Sequence, residues 1–285
     1  MQIKFFYNTI IAVALACTTY GQTAPVTETT IPASSRSNAD FTFEKTIPGN
    51  YIYMNVDLLD NIYLITAGNQ LKKLNSKGDS LAVFNDVKKY GNPSYIDVSN
   101  PLKTLVYYKN FSTVVILDRL LAMRTTINFR KQNIFSVKAI ATSYDNNIWL
   151  FDEQDSKLKK IDDDGKLLQE STDLRLLVDS VPSPSQIIDS DNLVYLYDER
   201  KGFYIFDYYG ALKNTIPFPG WENTAIAGKK MYGFSANTLF SYELSSLNLK
   251  KYKLPAFFKN YQAIKAINNK VYLLKEDGIE VYGVQ

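Results

Sequence analysis

The chain of 285 residues contains no histidine and one cysteine. Histidine is the commonest general base near neutral pH and the commonest transition-metal ligand. Its absence removes Ser-His and Cys-His nucleophilic sites and any His-ligated zinc, copper or iron centre. Carboxylate chemistry remains. Asp162-Asp163-Asp164-Gly165 has the outline of a calcium loop, but such a loop needs alternating oxygen ligands and a distal bidentate Glu. An Asp-Gly pair between two apolar runs reads instead as a hairpin turn. Asp145-Asn146-Asn147 and Asp189-Ser190-Asp191-Asn192 occupy corresponding places and read the same way. Val181-Pro182-Ser183-Pro184-Ser185 is a stiff loop with no Lys or Tyr placed as a base, and no Gly-rich phosphate loop is present. The reading is a non-enzymatic chain with no catalytic residue, metal ligand set or cofactor.

These turns belong to a unit that recurs about every forty residues. Asp60-Asn61-Ile62-Tyr63-Leu64-Ile65 leads to Leu71-Lys72-Lys73-Leu74 and Lys77-Gly78-Asp79. Asn146-Asn147-Ile148-Trp149-Leu150-Phe151 leads in the same way to Leu158-Lys159-Lys160-Ile161 and Asp164-Gly165-Lys166. A third copy begins at Asp191-Asn192-Leu193-Val194-Tyr195-Leu196. Each unit is a small antiparallel sheet that cannot bury both faces alone, and a repeat at this period signals a β-propeller. The centres of the second strands fall at Tyr63, Val106, Trp149, Tyr195, Tyr232 and Tyr272, at intervals of 37 to 46 residues. The expected fold is therefore all-β: a six-bladed propeller of four-stranded antiparallel blades over residues 41–285. After Tyr272 only Ile279-Glu280-Val281-Tyr282 remains, one strand short of a blade. Residues 41–48 resemble the outer strands at 212–217 and 249–255, so this N-terminal strand is expected to close the ring and cover a sheet edge.

The N-terminus reads as a secretory signal over residues 1–21. Lys4 precedes an apolar stretch, Phe5 to Ala16, too short to span a bilayer. Small residues at Thr19 and Gly21 favour cleavage before Gln22, with lipidation at Cys17 as the alternative. Residues 22–40, rich in Thr, Ser, Ala and Pro, are expected to form a flexible tether. The expected location is the periplasm, or a membrane to which Cys17 anchors the chain. The net charge of +3 is scattered, which argues against a nucleic-acid partner. No helix suited to a membrane is visible after the signal.

The turns and aromatics quoted above resemble those of six-bladed, NHL-like propellers. Streptogramin-type lyases and paraoxonase-type lactonases share that pattern, but their activity depends on His. Abundant Asn, Lys, Ile and Tyr, with a signal ending in Gly-Gln, resemble the secreted proteins of the Bacteroidota envelope. The resemblance implies a propeller-type accessory subunit whose partner is a larger outer-membrane protein; the periplasmic plug of the type 9 secretion translocon is one such family. Alternatives are a hydrolase or lyase using channel carboxylates, and a lipoprotein that binds carbohydrate or peptide.

Two sets of residues are candidates for such a role. Asp97, Lys138 and Lys265 fall on expected innermost strands and could line the channel. The loops joining blades carry Tyr51, Tyr90, Phe135, Trp221, Phe257, Phe258 and Tyr261, with Lys88, Lys89, Arg130, Lys131 and Lys259 among them. Aromatics beside cations on a surface are the composition of a protein-binding patch. Tyr90, Phe135, Trp221, Phe257, Phe258 and Tyr261 are therefore the expected partner contacts, and the turns of the opposite face are expected to be short and polar.

Overall fold

The computed structural model describes residues 38–85 and 87–285. The signal segment 1–21 with Cys17, and most of the tether 22–40, lie outside the described residues. Twenty-four strands form six separate four-stranded antiparallel sheets. The N-terminal strand is β1 (Phe41–Pro48). Blade one is β2 (Tyr51–Val56), β3 (Ile62–Thr66), β4 (Leu71–Leu74) and β5 (Ser80–Phe84). Blade two is β6 (Tyr95–Asn100), β7 (Lys103–Tyr108), β8 (Thr113–Asp118) and β9 (Met123–Asn128). Blade three is β10 (Val137–Thr142), β11 (Ile148–Asp152), β12 (Lys157–Ile161) and β13 (Leu167–Glu170). Blade four is β14 (Gln186–Ser190), β15 (Leu193–Asp198), β16 (Gly202–Asp207) and β17 (Leu212–Ile216). Blade five is β18 (Glu222–Ala227), β19 (Lys230–Ser235), β20 (Thr238–Glu243) and β21 (Asn248–Lys253). Blade six is β22 (Ala263–Ile267), β23 (Lys270–Lys275) and β24 (Gly278–Val284), completed on its outer edge by β1.

The first strands adjoin one another around the ring, and β22 meets β2 to close it. The burial pattern follows from this layout. Second strands, with a blade on either side, are near-continuous apolar runs: β7 and β11 are buried at every position. Outer strands β13 and β21 carry mostly solvent-facing residues. The core is six apolar clusters, one at each boundary between neighbouring blades. Strand direction alternates within a blade. The turns between first and second strands and between third and fourth strands therefore share one face, the turn face. Second-to-third turns and the blade-to-blade connections share the other, the loop face. Among the described residues no helix is long and apolar enough to cross a membrane.

The closing strand pairs antiparallel with β24 from Phe41 opposite Val284 to Pro48 opposite Gly278, with an irregularity between Phe43 and Lys45. Phe41 and Phe43 pack at the boundary with blade five and Ile47, beyond the irregularity, at the boundary with blade one, while Thr42, Glu44, Thr46 and Pro48 are exposed. Phe41 is completely buried and lies 5.0 Å from the Phe258 ring. Ile47 joins the cluster between blades six and one. Phe41→Ala should cost about 3–5 kcal/mol, a large part of a total stability of about 5–15 kcal/mol. Thr46→Ala, on the outward side of the same strand, should change stability by under about 0.5 kcal/mol. Equal losses in chemical denaturation would contradict the closure.

Candidate functional site

At the centre of the ring, first strands of five blades surround a cavity of about 50 Å³. It offers room for a few waters, far below the roughly 300–1,000 Å³ of ordinary small-molecule sites. Asp97 and Lys265 line it; Lys138, also on a first strand, does not. Lys138 stands at the loop end of β10, 3.9 Å from Glu153 and partly exposed. The carboxylate of Asp97 is fully engaged. Its Oδ2 accepts from the Thr142 amide at 2.8 Å, the Thr142 hydroxyl at 2.8 Å and the Ser99 hydroxyl at 3.0 Å. These bonds join blade two to blade three. Burial raises the Asp97 carboxyl above its usual range while the hydrogen bonds oppose the rise. Lys265 donates to the Thr224 carbonyl at 3.0 Å, joining blade six to blade five. Part of its stem is exposed, but enclosure of the ammonium pushes it down to about 8, against the pull of Asp97. Thr224 also donates to Gln186 at 2.7 Å, and Asn55 Nδ2 donates to the Ile96 carbonyl at 3.1 Å. The central polar groups hold blades to each other around a space far smaller than an ordinary substrate site.

The Asp-rich turns behave as turns. The Gly165 amide donates to the Asp162 carbonyl at 3.1 Å, with Gly165 at φ +87°, and Asp162 Oδ1 accepts from the amides of Asp164 and Lys166. Asp163 pairs with the buried Lys103 of blade two, and Asp145 with Lys160 at 3.0 Å. Among the described residues no cluster of acidic and sulfur side chains is arranged to hold a metal.

The loop face differs from expectation. Trp221, 4% exposed, and Phe258, 5% exposed, are core residues and not surface anchors. Trp221 stacks on Phe218 at 4.5 Å and on Phe240 at 5.4 Å. It lies over the backbone of Gly233, where an added Cβ would come within 2.3 Å of the indole. Phe258 sits 4.6 Å from Tyr282 and seals the end of the closing strand. Phe257 packs partly buried on Tyr282 at 5.8 Å, and Tyr90 on Tyr108 at 5.0 Å. Tyr51 donates its hydroxyl to the Pro48 carbonyl. Phe135 and Tyr261 are exposed. Arg130 is tied to the Ser112 hydroxyl at 3.1 Å, Lys89 lies over the Tyr90 ring, Lys131 and Lys259 are exposed, and Lys88 falls on the short helix Val87–Tyr90. The sequence signal that separates Trp221 from Phe135 is Gly233, a strand glycine that makes room for a large ring.

The turn face is short, as expected, but it is not polar. Leu58, Leu59, Leu102, Leu120, Tyr144, Tyr209 and Leu247 project from its turns, and Tyr209 is 86% exposed. Tyr144 and Tyr208 stack in parallel at 4.0 Å. Asp189 holds the pair: it accepts from the Tyr208 hydroxyl at 2.7 Å, the Trp149 indole at 2.9 Å and the Tyr144 amide at 3.1 Å. Lys160 lies over both the Tyr144 and Trp149 rings. A groove of about 310 Å³ runs here from Leu58 past Pro101 and Tyr144 to Tyr208, across the turns of four blades.

Two stability tests follow from these placements. Trp221→Ala should cost about 3–5 kcal/mol in chemical denaturation, whereas Phe135→Ala should stay within about 0.5 kcal/mol. Gly233→Ala should be similarly harmful, and the double variant should lose less than the sum because both disturb one contact. The Lys265 ammonium gives a pH test. In the unfolded chain a lysine titrates near its ordinary value of about 10.4. Between about 8 and 10 the unfolded chain therefore holds a proton that the folded chain has released, and stability rises with pH. Lys265→Met should remove that rise. Parallel stability curves for the two proteins would show that the ammonium is not desolvated.

No family model matches the chain, and no curated protein does. The fold is similar to several solved propellers. Streptogramin B lyase is 16% identical, with 81% of this chain and 78% of the lyase superposed at a TM-score of 0.54. A catalytically inactive virginiamycin B lyase from Staphylococcus aureus is 14% identical, covering 86% of this chain and 89% of its own at 0.53. The Pan2 WD40 domain of Neurospora crassa is 8% identical, covering 86% and 95% at 0.58. At such identities the likeness is one of fold alone. It reaches the propeller and does not reach the translocon plug.

Proposed function

We propose that this chain is a non-enzymatic binding subunit of the cell envelope, working in the periplasm and docking a larger outer-membrane protein through its turn face. The observation that carries the reading is the concentration of large apolar side chains on short turns around the stacked Tyr144 and Tyr208. An exposed apolar face of this kind, with aromatic anchors and a polar surround, has the composition of a protein contact. The closed centre supports the same reading, since it lacks the space that a substrate needs. The lyase likeness does not extend to chemistry. The inactive lyase carries a His-to-Ala substitution, and this chain has no His at all. The loop face, with Phe135 and Tyr261 exposed, is the second candidate surface.

The test is affinity capture of tagged variants from native envelope, with mass spectrometry of the co-purifying proteins. Leu59→Glu with Tyr144→Ala should leave the melting temperature within a few degrees, because both side chains are solvent-facing, and should abolish capture. Phe135→Glu with Tyr261→Ala should retain it. Capture retained by the first pair and lost by the second moves the contact to the loop face. Capture retained by both refutes docking through either apolar surface.

A further inference from the structure

In three blades an aromatic residue on the second strand reaches the next blade. The Trp149 indole donates to Asp189 at 2.9 Å and the Tyr232 hydroxyl to Asn269 at 3.0 Å. Tyr272 reaches Asp60 of blade one, whereas Tyr63 donates within its own blade to Asp57 at 3.3 Å. Tyr195 breaks this series. It is completely buried, and its hydroxyl has no hydrogen-bond partner among the described residues. The cause lies in the neighbouring turn. Blade five has Ala227-Gly228-Lys229 where blade six has Ile267-Asn268-Asn269, so no side-chain carbonyl comes to meet the phenol.

A cleft of about 340 Å³, with Tyr195 among its lining residues, opens between blades four and five. Its volume falls within the roughly 300–1,000 Å³ of small-ligand sites, unlike that of the ring centre. Leu193, Ile205, Tyr242 and Leu244 supply apolar walls, and Lys213, Lys229 and Asp191 supply charge. Lys213 is drawn toward Asp207 at 3.9 Å. Lys229 has no ion pair among the described residues, and its backbone is fixed by the Leu244 amide donating to the Lys229 carbonyl at 2.8 Å. Buried hydroxyls are ordinarily satisfied, so an unmet donor on a residue lining such a cleft points to an acceptor as the missing component. Burial pushes the Tyr195 phenol up to about 12, which keeps it a donor at neutral pH.

We propose that this cleft binds a small amphipathic carboxylate. Its hydrocarbon part lies against Leu193, Ile205, Tyr242 and Leu244. Its carboxylate accepts from the Tyr195 hydroxyl and pairs with Lys229. The site borders the docking surface: Asp191 lines both this cleft and the turn-face groove, and Leu247 projects from the turn face beside it.

The test is calorimetric titration of the full chain with octanoate, octylamine and acetate. Octanoate should bind saturably; octylamine has the wrong charge and acetate lacks the chain, so neither should. Tyr195→Phe keeps the ring and removes the unmet donor. It should weaken octanoate binding about tenfold while leaving the melting temperature of the free protein unchanged or raised. Lys229→Gln should weaken binding to a similar extent and flatten its salt dependence. Absence of saturable octanoate binding overturns the proposal, as does equal affinity for octylamine or full affinity in Tyr195→Phe. A fall in the free protein's stability in Tyr195→Phe also overturns it, because the hydroxyl would then already have a partner.

Discussion

The pairing of β1 with β24 is the constraint on which the rest of the molecule depends. Without β1, the last blade would be three strands and a bare edge, and Phe258 and Tyr282 would lose the Phe41 ring that covers them. The first and last segments of the chain thus share one sheet, and every boundary between blades becomes equivalent. Each boundary needs that equivalence, because a blade's faces are apolar and neither can be left to water. Six clusters, each made from the facing sides of two blades, are the consequence.

Apolar packing fixes the spacing of the blades, but the polar bonds fix their rotation. Asp97 with Thr142, Lys265 with Thr224, and Asn55 with the Ile96 carbonyl each join a first strand to the next blade's first strand. Such groups are costly when unpaired in a low-dielectric interior and directional when paired. Asp97 accepts three hydrogen bonds on Oδ2 and one on Oδ1, and the space beside it is about 50 Å³.

Sequence reading recovered the ring and its closure because both rest on local chemistry that repeats. Asp-Gly and Asn-Asn turns specify hairpins, and the apolar second strands specify burial on two sides. Residues 41–48 were legible because they resemble in sequence the outer strands at 212–217 and 249–255, Thr46-Ile47-Pro48 repeating Thr215-Ile216-Pro217. The surfaces were less legible. Trp221 and Phe135 both stand in connecting loops, and only the partner strand, where Gly233 clears space for the indole, tells them apart. The apolar turn face was hidden for the opposite reason. Six of its described turns contribute one or two leucines or tyrosines, others such as Asn75–Asp79 and Asp162–Lys166 contribute none, and the patch exists only once the ring brings the apolar turns together.

The departures from the repeat carry as much meaning as the repeat. Blade two has Thr104 and Leu105 near the position that others give to an aromatic, and the loss is made good: Lys103, buried at the same end of the strand, reaches the Asn146 carbonyl and Asp163 of blade three. The turn of blade five departs as well, with Gly228 and Lys229 in place of two asparagines, and nothing in the chain makes that good. Where the pattern holds, side chains satisfy one another and are closed to outside partners. Where it fails with compensation, the boundary is again complete. Between blades four and five a departure leaves the buried Tyr195 hydroxyl unmet at a boundary that also carries a cleft, so this boundary differs in chemistry from its neighbours while sharing their fold.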